Sequence, residues 1–153
     1  MSTTIATMQS QDVAQIRQMM AAQEAAMRSR DAEYLVSRYT PDVVKFSLAP
    51  PLQSTGPDVQ DVTALRRWFA GFDGAIDYEI RNLTVTAGDD IAFCHSLNRL
   101  SATPHGAPGG FDLWFRSTVC FLKVDGTWRI GHEHISTPFY MDGSSRAALD
   151  LRP

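Results

Sequence analysis

The chain has 153 residues, 44% hydrophobic and 20% charged, with a formal net charge of −3. That length suits one domain with a real core, and a near-neutral charge with no basic block excludes the electrostatic footprint of a nucleic-acid binder. No run of about 18 apolar residues is present, which excludes a membrane-spanning helix.

The first nine residues read as a mobile tail. No basic region precedes an apolar stretch there, so no secretory leader is expected. Ser10 reads as a helix cap, and Val13, Ile16, Met20 and Met27 recur at helical spacing up to about Arg30. Asp31 caps a second, short helix carrying Leu35 and Tyr39, which Thr40-Pro41 ends. Asp42 to Ala49 reads as a strand and the proline-rich stretch after it as a loop. Pro57 or Asp58 starts a third helix with Val62, Leu65, Phe69 and Phe72 on one stripe and Trp68 beside it; Gly71 and Gly74 end it.

From Ile76 the apolar period becomes two. Ile76, Tyr78 and Ile80 alternate, Leu83 and Val85 resume out of phase, and a bulge near Arg81-Asn82 accounts for the slip. Three more strands follow: IAFCHSLNRL, FDLWFRSTVCFLK and WRIGHEHISTPF, joined by a glycine-rich loop and a tight DG turn. The residues from 141 onward read as a second mobile tail, leaving one domain over 10–140. Helices segregated from a run of antiparallel strands make the fold class α+β: three N-terminal helices packed on a strongly curved antiparallel sheet. Both alternating faces of FDLWFRSTVCFLK are apolar, with Trp114, Cys120 and Leu122 opposite the helix-covered side. That pattern predicts a homodimer through the outer sheet face. Cys94 and Cys120 lie in apolar segments and are expected as free thiols in a cytoplasmic protein rather than as a disulfide.

The order of elements, together with SRDAEYLVSRYTPDVV, FLKVDGTWRI and the ending HEHISTPF, resembles the cone-shaped nuclear-transport-factor-2-like superfamily over about residues 11–140. That superfamily has a cystatin-like fold and includes ketosteroid isomerase, limonene epoxide hydrolase, scytalone dehydratase, the SnoaL-like cyclases and the association domain of calmodulin-dependent kinase II. The resemblance turns Lys45, Ser47, Cys94, Ser96, Asn98, Phe115, Ser117, Val119, Gly131, Glu133 and Ile135 into the cone. Period two then sends Trp114, Arg116, Thr118, His132 and His134 to the outer face. Where ketosteroid isomerase has its catalytic aspartate and its oxyanion aspartate and tyrosine, this chain has Ser47, Val119 and Gln23. That steroid chemistry is therefore not expected. Of the set used by limonene epoxide hydrolase, whose positions fall on Lys45, Ser47, Ser96, Asn98 and Glu133, one carboxylate survives.

What the resemblance implies is a cofactor-independent enzyme or binder for a hydrophobic small molecule. Its acid/base chemistry would be of the isomerase, cyclase, dehydratase or hydrolase kind. Glu133 is the expected proton-transfer group with Asn98 assisting, and burial in an apolar cone would raise its pKa. The competing reading has Glu133 paired with Lys45 or Arg81 to hold the sheet. Lys45, Ser47, Trp68, Phe69, Ser96, Phe115, Ser117 and Ile135 are the expected ligand contacts, although Lys45 also reads as a strand-edge lysine and Trp68 and Phe69 as core. His132, His134 and Arg116 are the alternative catalytic set if the inward and outward faces are exchanged. A zinc site needs about three protein ligands; the remaining histidines, His95 and His105, have no carboxylate at a supporting spacing, so no metal is expected. The alternative function is a non-catalytic ligand-binding or assembly domain similar to the kinase association domain.

Overall fold

A computed structural model describes residues 2–153, with side chains described from residue 8 onward. Helix α1 spans Ser2–Ser29, so Ser10 lies inside it and does not cap it. The stripe it buries is Asp12, Ile16, Met20, Gln23 and Ala26, spaced three and four apart. Arg30 ends the helix at φ 60°, and the Asp31 N–H closes back on the Ala26 carbonyl at 2.9 Å. A left-handed arginine costs about 1–2 kcal/mol. Its guanidinium offsets this by donating to the carbonyls of Phe69 and Phe72, at 2.7 and 3.3 Å, and to that of Gly74.

Asp31 caps α2, Ala32–Ser37, accepting from the Tyr34 N–H at 3.0 Å. Strand β1, Tyr39–Phe46, begins earlier than its apolar residues suggest and carries Pro41 at an irregularity in its pairing. Tyr39 is thus a strand residue, not the end of a helix. A two-residue strand β2, Ser54–Thr55, and a 3-10 turn over Gly56–Asp58 follow. Helix α3, Val62–Ala70, is capped by Asp61 through the Ala64 N–H at 2.9 Å, so it starts after Pro57 and Asp58.

Strands β3, Phe72–Ala87; β4, Ile91–Pro104; β5, Phe111–Val124; and β6, Thr127–Ser136, form an antiparallel meander. The register of β3 shifts between Arg81 and Thr84, with Asn82 at φ 56°, which is where the sequence places a bulge. Asp125 and Gly126, at φ 50° and 78°, make the hairpin turn before β6. The sheet order is β2-β1-β6-β5-β4-β3, and β1 runs parallel to β6, the one departure from an antiparallel sheet. The α+β architecture of helices on one face of a curved sheet is as the sequence indicates.

A second bulge was not legible. Cys120 pairs with His132 but Phe121 with Ile130, so Gly131 is the extra residue. A Cβ there would sit 3.1 Å from the Leu122 side chain, which places Gly131 against the outer face and not inside the cone. Ile130 and Trp128 point inward instead, and Glu133 keeps its inward direction beside Val119.

The interior is layered. At the closed end Ile16, Met20, Val119, Phe121 and Ile130 are all 0% exposed; each such side chain contributes about 1.5–3 kcal/mol. Towards the open end a second apolar cluster gathers Ala26, Leu35, Phe69, Ile76, Leu100 and Phe115. Between the two lies a buried polar layer of Gln23, Arg38, Ser96, Asn98, Ser117 and Glu133. Such a layer is tolerated only where its groups are hydrogen-bonded.

Beyond β6 the chain doubles back. The Tyr140 N–H donates to the Arg146 carbonyl and the Ala148 N–H to that of Pro138, each at 2.8 Å, and Ala148 is 3% exposed. Leu151 and Arg152 then border a groove with Leu97 and Trp114 on the outer sheet face.

Candidate functional site

The polar layer forms the floor of a cavity of about 350 Å³ that opens between α1, α3, β1 and the inner face of the sheet. Its walls are Met27, Leu65, Trp68, Leu100, Phe115 and Ile135; its floor carries Gln23, Arg38, Tyr39, Lys45, Tyr78 and Glu133. Trp68 and Leu48, each 41% exposed, stand at the mouth. The size lies at the lower end for small-molecule sites, about 300–1,000 Å³, and the mix of apolar walls with a few convergent polar groups is typical of them.

Two hydrogen-bonded sets make the floor. In the first, the Tyr39 hydroxyl donates to Glu133 Oε2 at 2.9 Å, and Lys45 Nζ lies 3.7 Å from Glu133 Oε1. The parallel register puts Lys45 directly opposite Glu133 on the neighbouring strand. Glu133 is 6% exposed. Burial raises its pKa, but the charges of Lys45 and Arg38 and the Tyr39 hydroxyl outweigh burial, so the carboxyl is held below its ordinary value. This corrects the expectation of a raised value and matches the competing reading in which Glu133 pairs with Lys45: the apolar walls are real, but a cation faces the carboxylate. Burial also works against the Lys45 ammonium, and Glu133 overcomes it, lifting Lys45 above its ordinary value. Both groups are charged at neutral pH. Lys45 is therefore no strand-edge lysine; its side chain is 26% exposed and turned inward. Arg81 instead pairs with Glu79 and lies 4.5 Å from the Trp114 ring centre.

The second set converges on Tyr78. Ser96 Oγ donates to Asn98 Oδ1 at 2.6 Å, which fixes the amide so that Asn98 Nδ2 donates to Tyr78 Oη at 2.9 Å. Arg38 Nη1 donates to Gln23 Oε1 at 2.6 Å, and Gln23 Nε2 approaches Tyr78 Oη at 3.5 Å. Two N–H groups thus point at one phenol oxygen. Among the described residues the Tyr78 hydroxyl hydrogen has no acceptor, and Tyr78 lines the cavity. Burial first, and the charge of Glu133 next, push the phenol up to about 12 against the pull of Asn98 and Gln23, so it stays a proton donor.

Of the residues singled out from sequence, Glu133, Lys45, Ser47, Trp68, Phe115 and Ile135 border the cavity. Asn98, 0% exposed, lies behind Tyr78 and acts on the cavity through it. Ser96 stands behind Asn98, and Phe69 and Ser117 are buried without lining the space. His132 holds the Val44 carbonyl through Nδ1 at 2.7 Å, His134 packs edge-on to Phe46, and Arg116 donates to Ser136 at 3.2 Å. None of these three borders the cavity. Tyr39, Tyr78 and Arg38 are not among the residues the sequence singles out for the site, and Gln23 enters only as the residue at the ketosteroid isomerase tyrosine position. The signal for Gln23 was a polar residue in the apolar stripe of α1; for Tyr78 it was a hydroxyl on the inward side of β3, which needs a partner when buried.

Other reactive groups offer less. Cys94 and Cys120 are free, and burial pushes the Cys94 thiol up to about 12, which removes it as a nucleophile at neutral pH. Among the described residues no three His, Cys, Asp or Glu side chains gather as a metal-binding set, and no helix is long and apolar enough to cross a membrane.

Comparison with known proteins agrees with this geometry. The model of the SnoaL-like domain matches residues 16–140. A nuclear-transport-factor-2-like protein of unknown function from Pseudomonas putida is 30% identical, with a TM-score of 0.81 over 94% of this chain and 98% of that one. A proposed scytalone dehydratase from Novosphingobium aromaticivorans is 21% identical, with a TM-score of 0.70 over 87% and 88%. A proposed calcium/calmodulin-dependent protein kinase II association domain from Xanthomonas campestris is 20% identical, with a TM-score of 0.65 over 80% and 84%. At those two identities the likeness is one of fold. No curated protein matches the chain. With the family model covering most of the sequence and the cone's architecture matched end to end, the chain belongs to the SnoaL-like domain family.

Proposed function

We propose that the protein is a cofactor-independent enzyme that moves a proton on a hydrophobic small molecule held in the cone. The observation that carries this is the pairing, on one cavity floor, of an ionised carboxylate with a phenol whose proton is free to donate. Glu133 takes a proton from a carbon next to a carbonyl. Tyr78 donates to the carbonyl oxygen as it becomes an enolate, with Asn98 and Gln23 bonded to the phenol oxygen. Returned to another carbon, the proton gives an isomerase. Delivered to a hydroxyl on the β-carbon as its C–O bond breaks, it releases water, as a dehydratase does. If the enolate carbon instead bonds to a second carbonyl, whose oxygen takes the proton, the result is a cyclase. A carboxylate held below its ordinary pKa is a weak base, so the carbon acid must itself be activated.

Exchange at the activated carbon of 2-tetralone in heavy water, followed by proton NMR, tests this. Wild type accelerates exchange and Glu133→Gln does not, while both bind the ketone. Equal acceleration by the two proteins removes Glu133 from the chemistry, and no acceleration by either, with the ketone bound, leaves a binding domain.

We also propose that the protein is a cytoplasmic homodimer that pairs through the outer sheet face. Ile91, Phe93 and Leu122 are 59, 43 and 40% exposed there and support this reading. The C-terminal segment borders Trp114, which shifts the free apolar surface to the other end of the face. The free cysteines fit a reducing compartment. Light scattering reads the assembly: twice the 17.0 kDa chain mass is expected, and a single-chain mass at micromolar concentration contradicts it.

A further inference from the structure

The floor of the cavity carries more positive than negative charge. Arg38, 6% exposed, and the Lys45 side chain, 26% exposed, face one carboxylate, Glu133. Arg38 is held by the Leu35 carbonyl and Gln23 and lies over the rings of Tyr34 and Tyr39; among the described residues no carboxylate pairs with it. Lys45 meets Glu133 at 3.7 Å, a loose contact that leaves ammonium hydrogens unspent. Asp58 and Asp61 border an adjoining groove that Lys45 also lines, but neither pairs with it, and Asp61 is engaged as the cap of α3. One buried positive charge is therefore uncompensated. A buried charge is costly unless paired, and the open side of this one is the cavity.

We infer that the ligand is a hydrophobic acid: an apolar body, sized to about 350 Å³, carrying one carboxylate that lies against Lys45 and Arg38. The apolar part meets Leu65, Trp68, Leu100 and Phe115. The carboxylate completes the charge balance of the floor, and a proton passing from ligand to Glu133 leaves that balance unchanged. The body leaves Tyr78 for the reacting carbonyl. This rests on the cavity being the ligand site.

Isothermal titration with 2-naphthoate and its neutral isostere 2-naphthamide separates the two claims. Naphthoate binds wild type about tenfold or more tighter than the amide, the scale of a charge-assisted contact. Lys45→Met erases that ratio and Lys45→Arg keeps it. Glu133→Gln raises it, because the repelling carboxylate is gone; this arm stands even if Lys45→Met fails to fold. Equal binding of acid and amide to wild type overturns the inference and leaves the cavity a ligand site. Absence of binding by both at millimolar concentration overturns the cavity reading as well. A ratio unmoved by both Glu133→Gln and Lys45→Met places the acid elsewhere on the protein and overturns the inference too.

Discussion

Replacing Glu133 by glutamine removes one half of an ion pair and leaves the other half in place. Gln still accepts from the Tyr39 hydroxyl, so the perturbation is electrostatic. Removing one member of a buried pair costs about 3–5 kcal/mol, because an uncompensated charge stays behind. Here the charge left behind is Lys45, whose side chain keeps 26% of its exposure while Glu133 keeps 8%. Solvent screening at the lysine lowers the expectation to about 2–3 kcal/mol. For a chain of this length that corresponds to a fall in melting temperature of about 5–10 °C. Lys45→Met should cost less, since Arg38 and Tyr39 still face the carboxylate. The double variant should be less destabilised than the sum of the two by about 1–2 kcal/mol, because a pair replaced by neutral groups leaves no orphan. Urea unfolding of all four proteins gives the cycle. Additivity within about 0.5 kcal/mol refutes the reasoning, because it means the two groups do not feel each other in the folded state. The pH dependence adds a sign. Glu133 is held below its ordinary value of 4.5, so its stabilisation is present above that value and is lost as pH falls through the lower folded value. Lys45 is raised above 10.5, so its share is present below that value and is lost as pH rises through the higher folded one. The stability gap between wild type and Glu133→Gln should be flat between those limits and close in acid.

Tyr78→Phe strands the Asn98 amide beneath the cavity and should cost about 1–3 kcal/mol by thermal or urea unfolding; an unchanged midpoint contradicts the network. His134→Ala, exposed beside Phe46, should change stability by less than about 0.5 kcal/mol and leave ligand affinity unaltered in the same titrations; a loss of binding moves the site to the outer face. If the protein pairs as proposed, Phe93→Asp should give a species of the 17.0 kDa chain mass in light scattering where wild type gives twice that, and a variant that remains dimeric rules out that end of the face.

Local signals with one dominant cause were legible in the sequence. Asp31 before a short helix is a cap because its carboxylate has a free N–H three residues on. The phase slip between Ile80 and Leu83 is a bulge because side chains cannot skip a face otherwise. Resemblance turns Glu133 inward, as the structure has it, but the sequence left two readings of its ionisation open, raised by burial or paired with Lys45 or Arg81. That state depends on Lys45, 88 residues earlier, arriving opposite it through a parallel pairing that no hairpin signals. The floor was half-visible for the same reason. Tyr39, Tyr78 and Gln23 sit on three different elements, and each alone looks like core. Only the sheet's curvature brings their polar atoms together. Gly131 shows the limit of counting by twos: Trp128 and Ile130 share one parity and Glu133 and Ile135 the other, and the change of phase marks the bulge only once both pairs are known to be inward.

The central claim is that small molecules bind within the cone, over Glu133. The most direct measurement is a methyl-resolved NMR titration of the labelled protein with 2-naphthoate and 2-naphthamide. The account predicts that shifts concentrate on Leu65, Leu100 and Ile135, which line the cavity, and that they weaken when Phe115→Trp fills it. Shifts confined to Ile91 and Leu122 on the outer face, or no shifts at saturating ligand, contradict it.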